Sequence, residues 1–122
     1  MNFTQAITSG FQNYVNFSGR AARSEFWFWT LFSFLATAAA GIIDMVAFAN
    51  AAVSPLNILV SLALFLPGLA VSVRRLHDLD RTGWWLLLVF TVIGVILLLV
   101  WDCMKGTTGP NRFGPDPLAG TP

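Results

Sequence analysis

FWFWTLFSFLATAAAGIIDMVAF, residues 26–48, decides the fold of this chain. Asp44 is its only charged residue. A helix needs about 20 mostly apolar residues to cross the ~30 Å hydrocarbon layer of a bilayer. Two further apolar blocks, residues 55–73 and 84–101, contain no charged residue. Since each block has about the length of one crossing, the sequence predicts three transmembrane helices.

The composition indicates a membrane environment. Of the 122 residues, 56% are hydrophobic and 11% are charged, against roughly a quarter charged in an ordinary soluble domain. Three spans and their connections use nearly the whole length, which excludes a multidomain enzyme or a large transporter in one chain. The net charge of +1 gives no field that would recruit nucleic acid. We expect an all-α, polytopic membrane protein with a single domain, residues 1–122.

The residues that carry metal and catalytic chemistry are scarce. Cys103 is the only cysteine and His77 the only histidine. One chain therefore cannot form an internal disulfide or a Cys/His metal site. No serine or cysteine stands in a recognised nucleophile motif. We expect no metal site, no cofactor and no enzymatic activity.

The positions of arginine and lysine predict the topology. Two arginines precede the first block, three lie between the second and third, and Lys105 and Arg112 follow the third. Because cytoplasmic loops carry the excess of these residues, we expect a cytoplasmic N-terminus and second loop, and a tail outside. A re-entrant hairpin about Gly94 would return the tail to the cytoplasm, although residues 84–101 are too few for two crossings.

The segment before the first block predicts an amphipathic helix over residues 2–17. Its apolar residues recur at helical spacing, and uncharged polar residues fill the other face. Such a helix can lie in the membrane interface, but without a basic face it is expected to pack as a lid across the span ends. A cleaved signal peptide fits poorly, because the region ahead of the apolar stretch is long and contains Glu25. In the second block, Pro67 and Gly68 predict a kink.

Charged residues gather at the ends of the apolar blocks, on one membrane face in this topology. The candidate cluster consists of Arg20, Arg23, Glu25, Arg74, Arg75, His77, Asp78, Asp80 and Arg81. We favour a network of helix-end ion pairs, since Arg74 and Arg75 lie four and three residues before Asp78. The alternative is a site for a lipid phosphate, because five bases accompany three acids. An acid/base pair of His77 and Asp78 is disfavoured, since sequence neighbours rarely face each other on a helix.

A polar stripe runs along the first block. It consists of Thr30, Ser33, Thr37, Gly41 and Asp44, and its spacings of three and four place it on one helix face. We favour a packing seam with the second block, where Asn57 and Ser61 offer a matching polar pair. The alternative is a proton or ion path, because an intramembrane carboxylate is costly unless it is paired, hydrated or functional.

The tail, residues 106–122, is rich in turn-forming residues. Its first twelve residues contain three Gly and three Pro, which predicts consecutive turns in place of a helix. We expect an ordered stretch folded back on the span ends, with disorder as the alternative. The tail motif comprises Asn111, Arg112, Phe113, Gly114 and Asp116. Residues 118–122 are expected to form a short flexible end.

Three polar motifs in order resemble a known family. They are FSGRAARSEFW at residues 17–27, RRLHDLDRTGWW at 74–85 and GTTGPNRFGPDP at 106–117. Over residues 10–117 the chain resembles the domain of unknown function 805 family, small bacterial inner-membrane proteins of the YhaH-like type. The resemblance implies a multi-pass protein of the bacterial inner membrane. It brings no catalytic residues, ligand or partner.

Three functions are compatible with these patterns. The leading hypothesis is a non-enzymatic accessory or interaction protein whose polar helix ends contact membrane lipids, another membrane protein or a second copy. The alternative is a small oligomeric channel or transporter component. A lipid-modifying enzyme that uses His77 and Asp78 has the least support.

Overall fold

The computed structural model describes residues 2–50 and 52–118, and in them the chain is helical. The order is α1 (Phe3–Gln12), α2 (Arg23–Ala47), α3 (Pro55–Asp78), a 3-10 helix (Gly83–Phe90) and α4 (Val92–Cys103). The described residues contain no strand, and one isolated bridge joins Asn111 and Gly114. The expected flexible end beyond Leu118 lies outside the described residues.

Helices α2 and α3 are long and apolar enough to cross a membrane. With 25 and 24 residues, they extend about 37 Å and 36 Å at ~1.5 Å per residue. Pro55 opens α3 at a position where its missing N–H has no intrahelical partner to lose. Helix α3 continues past its apolar residues to Asp78, so its last turns carry Arg74, Arg75 and His77. The two helices pack side by side.

The third apolar block, predicted as a single span over residues 84–101, forms two short helices. The 3-10 helix of eight residues ends at Phe90, and α4 has twelve residues, so they extend about 16 Å and 18 Å. Neither length crosses ~30 Å of hydrocarbon. Extended Thr91 separates them, and its hydroxyl caps α4 by accepting the N–H of Gly94 at 2.9 Å. A Cβ at Gly94 would overlap the Leu88 carbonyl, so this reversal requires glycine.

The chain doubles back at Thr91, and the tail therefore returns to the end of the molecule that carries Arg20 and Asp78. The indole rings of Trp85 and Trp101 meet edge to face, with centroids 5.6 Å apart. The Asn111 amide donates to the carbonyl of His77 at 2.9 Å. The tail therefore lies at the same end of the molecule as the second loop, whereas the charge pattern of the sequence predicted the opposite membrane face. The block enters and leaves at one end, as in the re-entrant alternative, with its reversal at Thr91.

Helix α1 packs against α2 and α3. Asn2 and Gln5 form a capping box at its start. The helix ends at Gln12, short of the predicted residue 17, because turn-forming asparagines follow. Gly10 lies directly on the indole of Trp29, where a Cβ would overlap the ring. This close approach, together with the hydrogen bond from Ser9 to Glu25, fixes α1 against the first turns of α2.

Tyr14 joins the N-terminal segment to α3 at the proline. Pro67 lies inside α3 and has no N–H, so the carbonyl of Ala63 loses its intrahelical donor. The hydroxyl of Tyr14 donates to that carbonyl. Tyr14 thus supplies a donor to the Ala63 carbonyl, which Pro67 leaves without one inside an apolar helix.

We expect Tyr14→Phe to destabilise the detergent-solubilised protein by about 1 kcal/mol, the net value of one hydrogen bond. In a Pro67→Ala background the new N–H can bond Ala63, so the same change should cost less. Thermal unfolding of the four proteins in this double-mutant cycle measures the difference. Equal costs in both backgrounds would show that Tyr14 does not act through the proline.

Candidate functional site

Five buried charged side chains form a layer where α2, α3 and the tail meet. This charged layer consists of Arg20, Glu25, Arg74, Arg75 and Asp78. Each of the five is at most 8% exposed. Buried charges are tolerated when they are paired and hydrogen-bonded. Three ion pairs join the five side chains, while Nε and Nη2 of Arg74 and Nε of Arg75 have no partner among the described residues.

Asp78 is the centre of the layer. One carboxylate oxygen lies 2.9 Å from Nη2 of Arg20 and the other 2.6 Å from Nη1 of Arg75. Arg20 also donates to tail carbonyls, at 2.5 Å to Thr107 and 2.7 Å to Gly109. Arg75 donates to the carbonyls of Trp101, at 3.2 Å, and Met104. Asp78 thereby connects the pre-α2 loop, α3 and the segment after α4.

The second half of the layer connects the N-terminal helices. Nη1 of Arg74 lies 3.0 Å from the Glu25 carboxylate, so Arg74 pairs with α2 and not with Asp78 one turn away. Ser9 of α1 donates its hydroxyl to the same Glu25 oxygen at 2.6 Å. Sequence patterns do not identify Ser9 as part of the site, since its only signal is a place on the polar face of α1.

The His77 side chain makes a hydrogen bond and a stacking contact within the protein. Its Nδ1 lies 2.8 Å from the carbonyl oxygen of Gly19, which assigns the ring proton to Nδ1. The imidazole stacks on Phe113, with centroids 4.0 Å apart and planes 1° from parallel. The partners of the ring are therefore the Gly19 carbonyl and the Phe113 side chain.

The tail packs over the charged layer. Thr107 donates its N–H to the Asp78 carbonyl at 2.7 Å. Gly106 lies so close that a Cβ would overlap the Asp78 carboxylate. At the far end, hydrogen bonds from the backbone N–H groups of Leu118 and Gly109 lower the pKa of the exposed Asp116 carboxyl.

The exposed charges surround this layer. Arg112 lies 3.2 Å from Asp80 in an exposed pair, and Asp80 takes a left-handed φ of 59°. Arg23 is exposed and donates to the Cys103 carbonyl at 3.2 Å. Arg81 lies over the Trp101 ring, 4.3 Å from its centroid. We call the four exposed residues Arg23, Asp80, Lys105 and Arg112 the charged rim.

The polar stripe of α2 divides into two parts. At one end, buried Asp44 accepts the N–H groups of Leu56 at 3.1 Å and Asn57 at 2.8 Å. These are orphan donors of the first turn of α3, so Asp44 caps a neighbouring helix. The Asn57 amide also donates to the Thr37 carbonyl at 2.7 Å. At the other end, Thr30 and Ser33 line an open groove beside α3.

We expect Gly41→Leu to lower the melting temperature in detergent more than Asp44→Asn does. A Cβ at Gly41 would lie 3.6 Å from the Asn57 amide nitrogen, so there is room for a methyl group but not for a larger side chain. Asn at position 44 keeps one acceptor oxygen for the cap. Gly41→Ala is the matched control and should be tolerated. A larger loss from Asp44→Asn would identify the capping charge as the dominant contact.

Comparison with known proteins confirms the family resemblance. The chain matches the family described as "Protein of unknown function (DUF805)" over residues 14–115. It is 46% identical over 118 residues to "Inner membrane protein YhaI" of Escherichia coli (strain K12), covering 96% of this chain and 98% of the relative. It is 43% identical to "Inner membrane protein YhaH" of the same strain, covering 87% and 90%. No solved structure matches the chain.

These relatives and the two long apolar helices place the protein in the bacterial inner membrane as a multi-pass protein. The motifs at residues 17–27, 74–85 and 106–117 are the segments that build the charged layer and its tail. The three motifs, which are far apart in the sequence, therefore meet in one three-dimensional site. The chain belongs to the DUF805 family.

Proposed function

We propose that this chain is a non-enzymatic interaction protein of the inner membrane, in which the charged layer is a rigid base and the charged rim is the contact surface. One observation carries the proposal: the ionisable side chains of the layer are paired with one another. Asp78 is held by two arginines, and Nδ1 of His77 contacts the Gly19 carbonyl. The one histidine and its neighbouring carboxylate therefore do not form an acid/base pair.

The proposed topology has two crossings and a re-entrant hairpin of the 3-10 helix and α4. With this arrangement all seven Lys and Arg residues of the chain belong to one membrane face, and the connection between α2 and α3 has none. The positive-inside rule then favours a cytoplasmic site for the N-terminus, the charged layer and the tail. At the reversal the backbone of Thr91 is hydrogen-bonded, since its N–H donates to the Leu88 carbonyl at 3.0 Å and its carbonyl accepts the N–H of Val95 at 3.0 Å. The Thr91 hydroxyl adds the cap of α4.

The charged rim supports contact with a polar partner surface. Its side chains are exposed on the same face as the closed layer, and Arg23, Lys105 and Arg112 give it an excess of positive charge over Asp80. A rim of this charge suits an acidic protein surface or anionic headgroups. The contacts of Asp44, which caps α3, support a packing role for the polar stripe over a conduction path.

The test is purification in mild detergent, with co-purifying proteins and lipids identified by mass spectrometry. The variant Arg23→Gln/Lys105→Gln removes rim charge without touching the ion pairs of the layer. We expect the wild type to retain a protein partner or anionic lipid that the variant loses, while both elute as the same folded species. Equal retention would contradict a role for the rim, and a turnover abolished by His77→Ala would indicate an enzyme.

A further inference from the structure

An open groove of about 600 Å³ lies between α2, α3 and the 3-10 helix. Apolar side chains, among them Phe34, Phe65 and Val89, form most of its walls, together with the hydroxyls of Thr30, Ser33 and Ser61. Along α2 it extends from Phe26 to Thr37, about 17 Å at ~1.5 Å per residue. That is roughly half of the ~30 Å hydrocarbon layer. Since Phe26, at the start of the groove, directly follows Glu25, the groove faces the acyl region of one leaflet in the proposed topology.

Trp29 contributes an unpaired hydrogen-bond donor to this groove. Its side chain is buried, with 2% of the residue exposed, and Nε1 has no partner among residues 2–50 and 52–118. Both Trp29 and Gly68 line the groove, and Nε1 would lie 3.6 Å from a Cβ at Gly68. A buried N–H without an acceptor is costly. An acceptor from outside the chain would remove that cost.

We propose that the groove binds a membrane lipid with an apolar body and a carbonyl oxygen that accepts the N–H of Trp29. A transmembrane helix of another protein fits less well, because its backbone carbonyls are already used within the helix. The occupant is a phospholipid, because its acyl ester lies at the edge of the hydrocarbon layer, the depth that Trp29 has about one turn from Glu25. An isoprenoid quinone, which also has a ring carbonyl, is the competing occupant in the test. Gly68 keeps the α3 side of the indole open to such a molecule.

The test compares two phospholipids that differ only in the carbonyl. The protein is reconstituted in vesicles of diester phosphatidylethanolamine mixed with its diether analogue, extracted in mild detergent, and examined by native mass spectrometry for retained lipid. We expect the wild type to prefer the diester by about two- to tenfold, the effect of one net hydrogen bond. Trp29→Phe should lose the preference. A third set of vesicles contains added ubiquinone, and its displacement of the diester would identify the quinone as the occupant in place of a phospholipid.

Two further variants separate binding from folding. Ser33→Phe fills the groove without removing a core side chain and should lower retention of both lipids. Leu62→Phe places the same ring on the exposed surface of α3, where Leu62 is 68% exposed and outside the groove, and should retain lipid as the wild type does. Equal retention of diester and diether, or retention unaffected by Ser33→Phe, would overturn the proposal. That outcome would leave the role proposed for the charged rim intact.

Discussion

Asp78→Asn is expected to abolish most of the folded protein, whereas Asp80→Asn, two residues away, should leave it nearly unchanged. Asp78 is the counter-ion of two buried arginines, Arg20 and Arg75. Removing one partner of a buried ion pair costs about 3–5 kcal/mol, because the remaining charge is stranded. Asp80 pairs with Arg112 in solvent, where such pairs contribute about 0–1 kcal/mol.

The measurement is the yield of monodisperse protein in mild detergent, followed by thermal unfolding of the fraction that folds. The two aspartates are matched in chemistry and differ in burial, so expression effects common to both variants cancel. Equal losses would show that the charged layer does not stabilise the fold through Asp78. A loss from Asp80→Asn alone would place the critical carboxylate on the exposed rim.

Gly106→Ala is expected to release the tail from the charged layer. The added Cβ would overlap the Asp78 carboxylate and lie 2.7 Å from the Asp78 backbone carbonyl oxygen. Since backbone cannot move as a flexible side chain does, the tail must shift, at a cost of about 1–3 kcal/mol. The hydrogen bonds from Arg20 to the carbonyls of Thr107 and Gly109 should weaken with it.

Limited trypsin digestion of the detergent-solubilised protein measures this release. Cleavage after Arg112 should become faster in Gly106→Ala than in the wild type, because the tail that carries it is no longer held. Gly41→Ala is the control, since its Cβ would make an ordinary contact of 3.6 Å with Asn57. Unchanged cleavage in Gly106→Ala would contradict the close packing of the tail on Asp78.

The helical fold was predictable from hydropathy, but the boundaries of α3 and the third block were not. Apolar windows end before charged residues, so they stop at residue 73, whereas α3 continues to Asp78 because its charges find partners in other segments. In the third block the apolar count alone favours one crossing. The reversal depends on the cap at Thr91 and on the close approach of Gly94 to the Leu88 carbonyl. Mean hydropathy contains no information on either contact.

The members of the candidate site could be identified from sequence, but most of their partners could not. The pair of Arg75 and Asp78 follows from a spacing of three on one helix. The pairs of Arg20 with Asp78 and Arg74 with Glu25 join residues 58 and 49 positions apart, which periodicity cannot relate. The contacts of the tail could not be predicted from sequence either. They use backbone carbonyls as acceptors, and every residue has one.

In the proposed topology the third apolar block is re-entrant, so the N-terminal loop, the charged layer and the tail lie at one membrane face. Single cysteines at Ser18, Asn50 and Thr108, all exposed, can be introduced in a Cys103→Ser background and labelled in intact cells with a membrane-impermeant maleimide. We expect positions 18 and 108 to share one accessibility and position 50 to have the opposite one. If position 108 is labelled from the same side as position 50 and from the opposite side to position 18, this topology is contradicted.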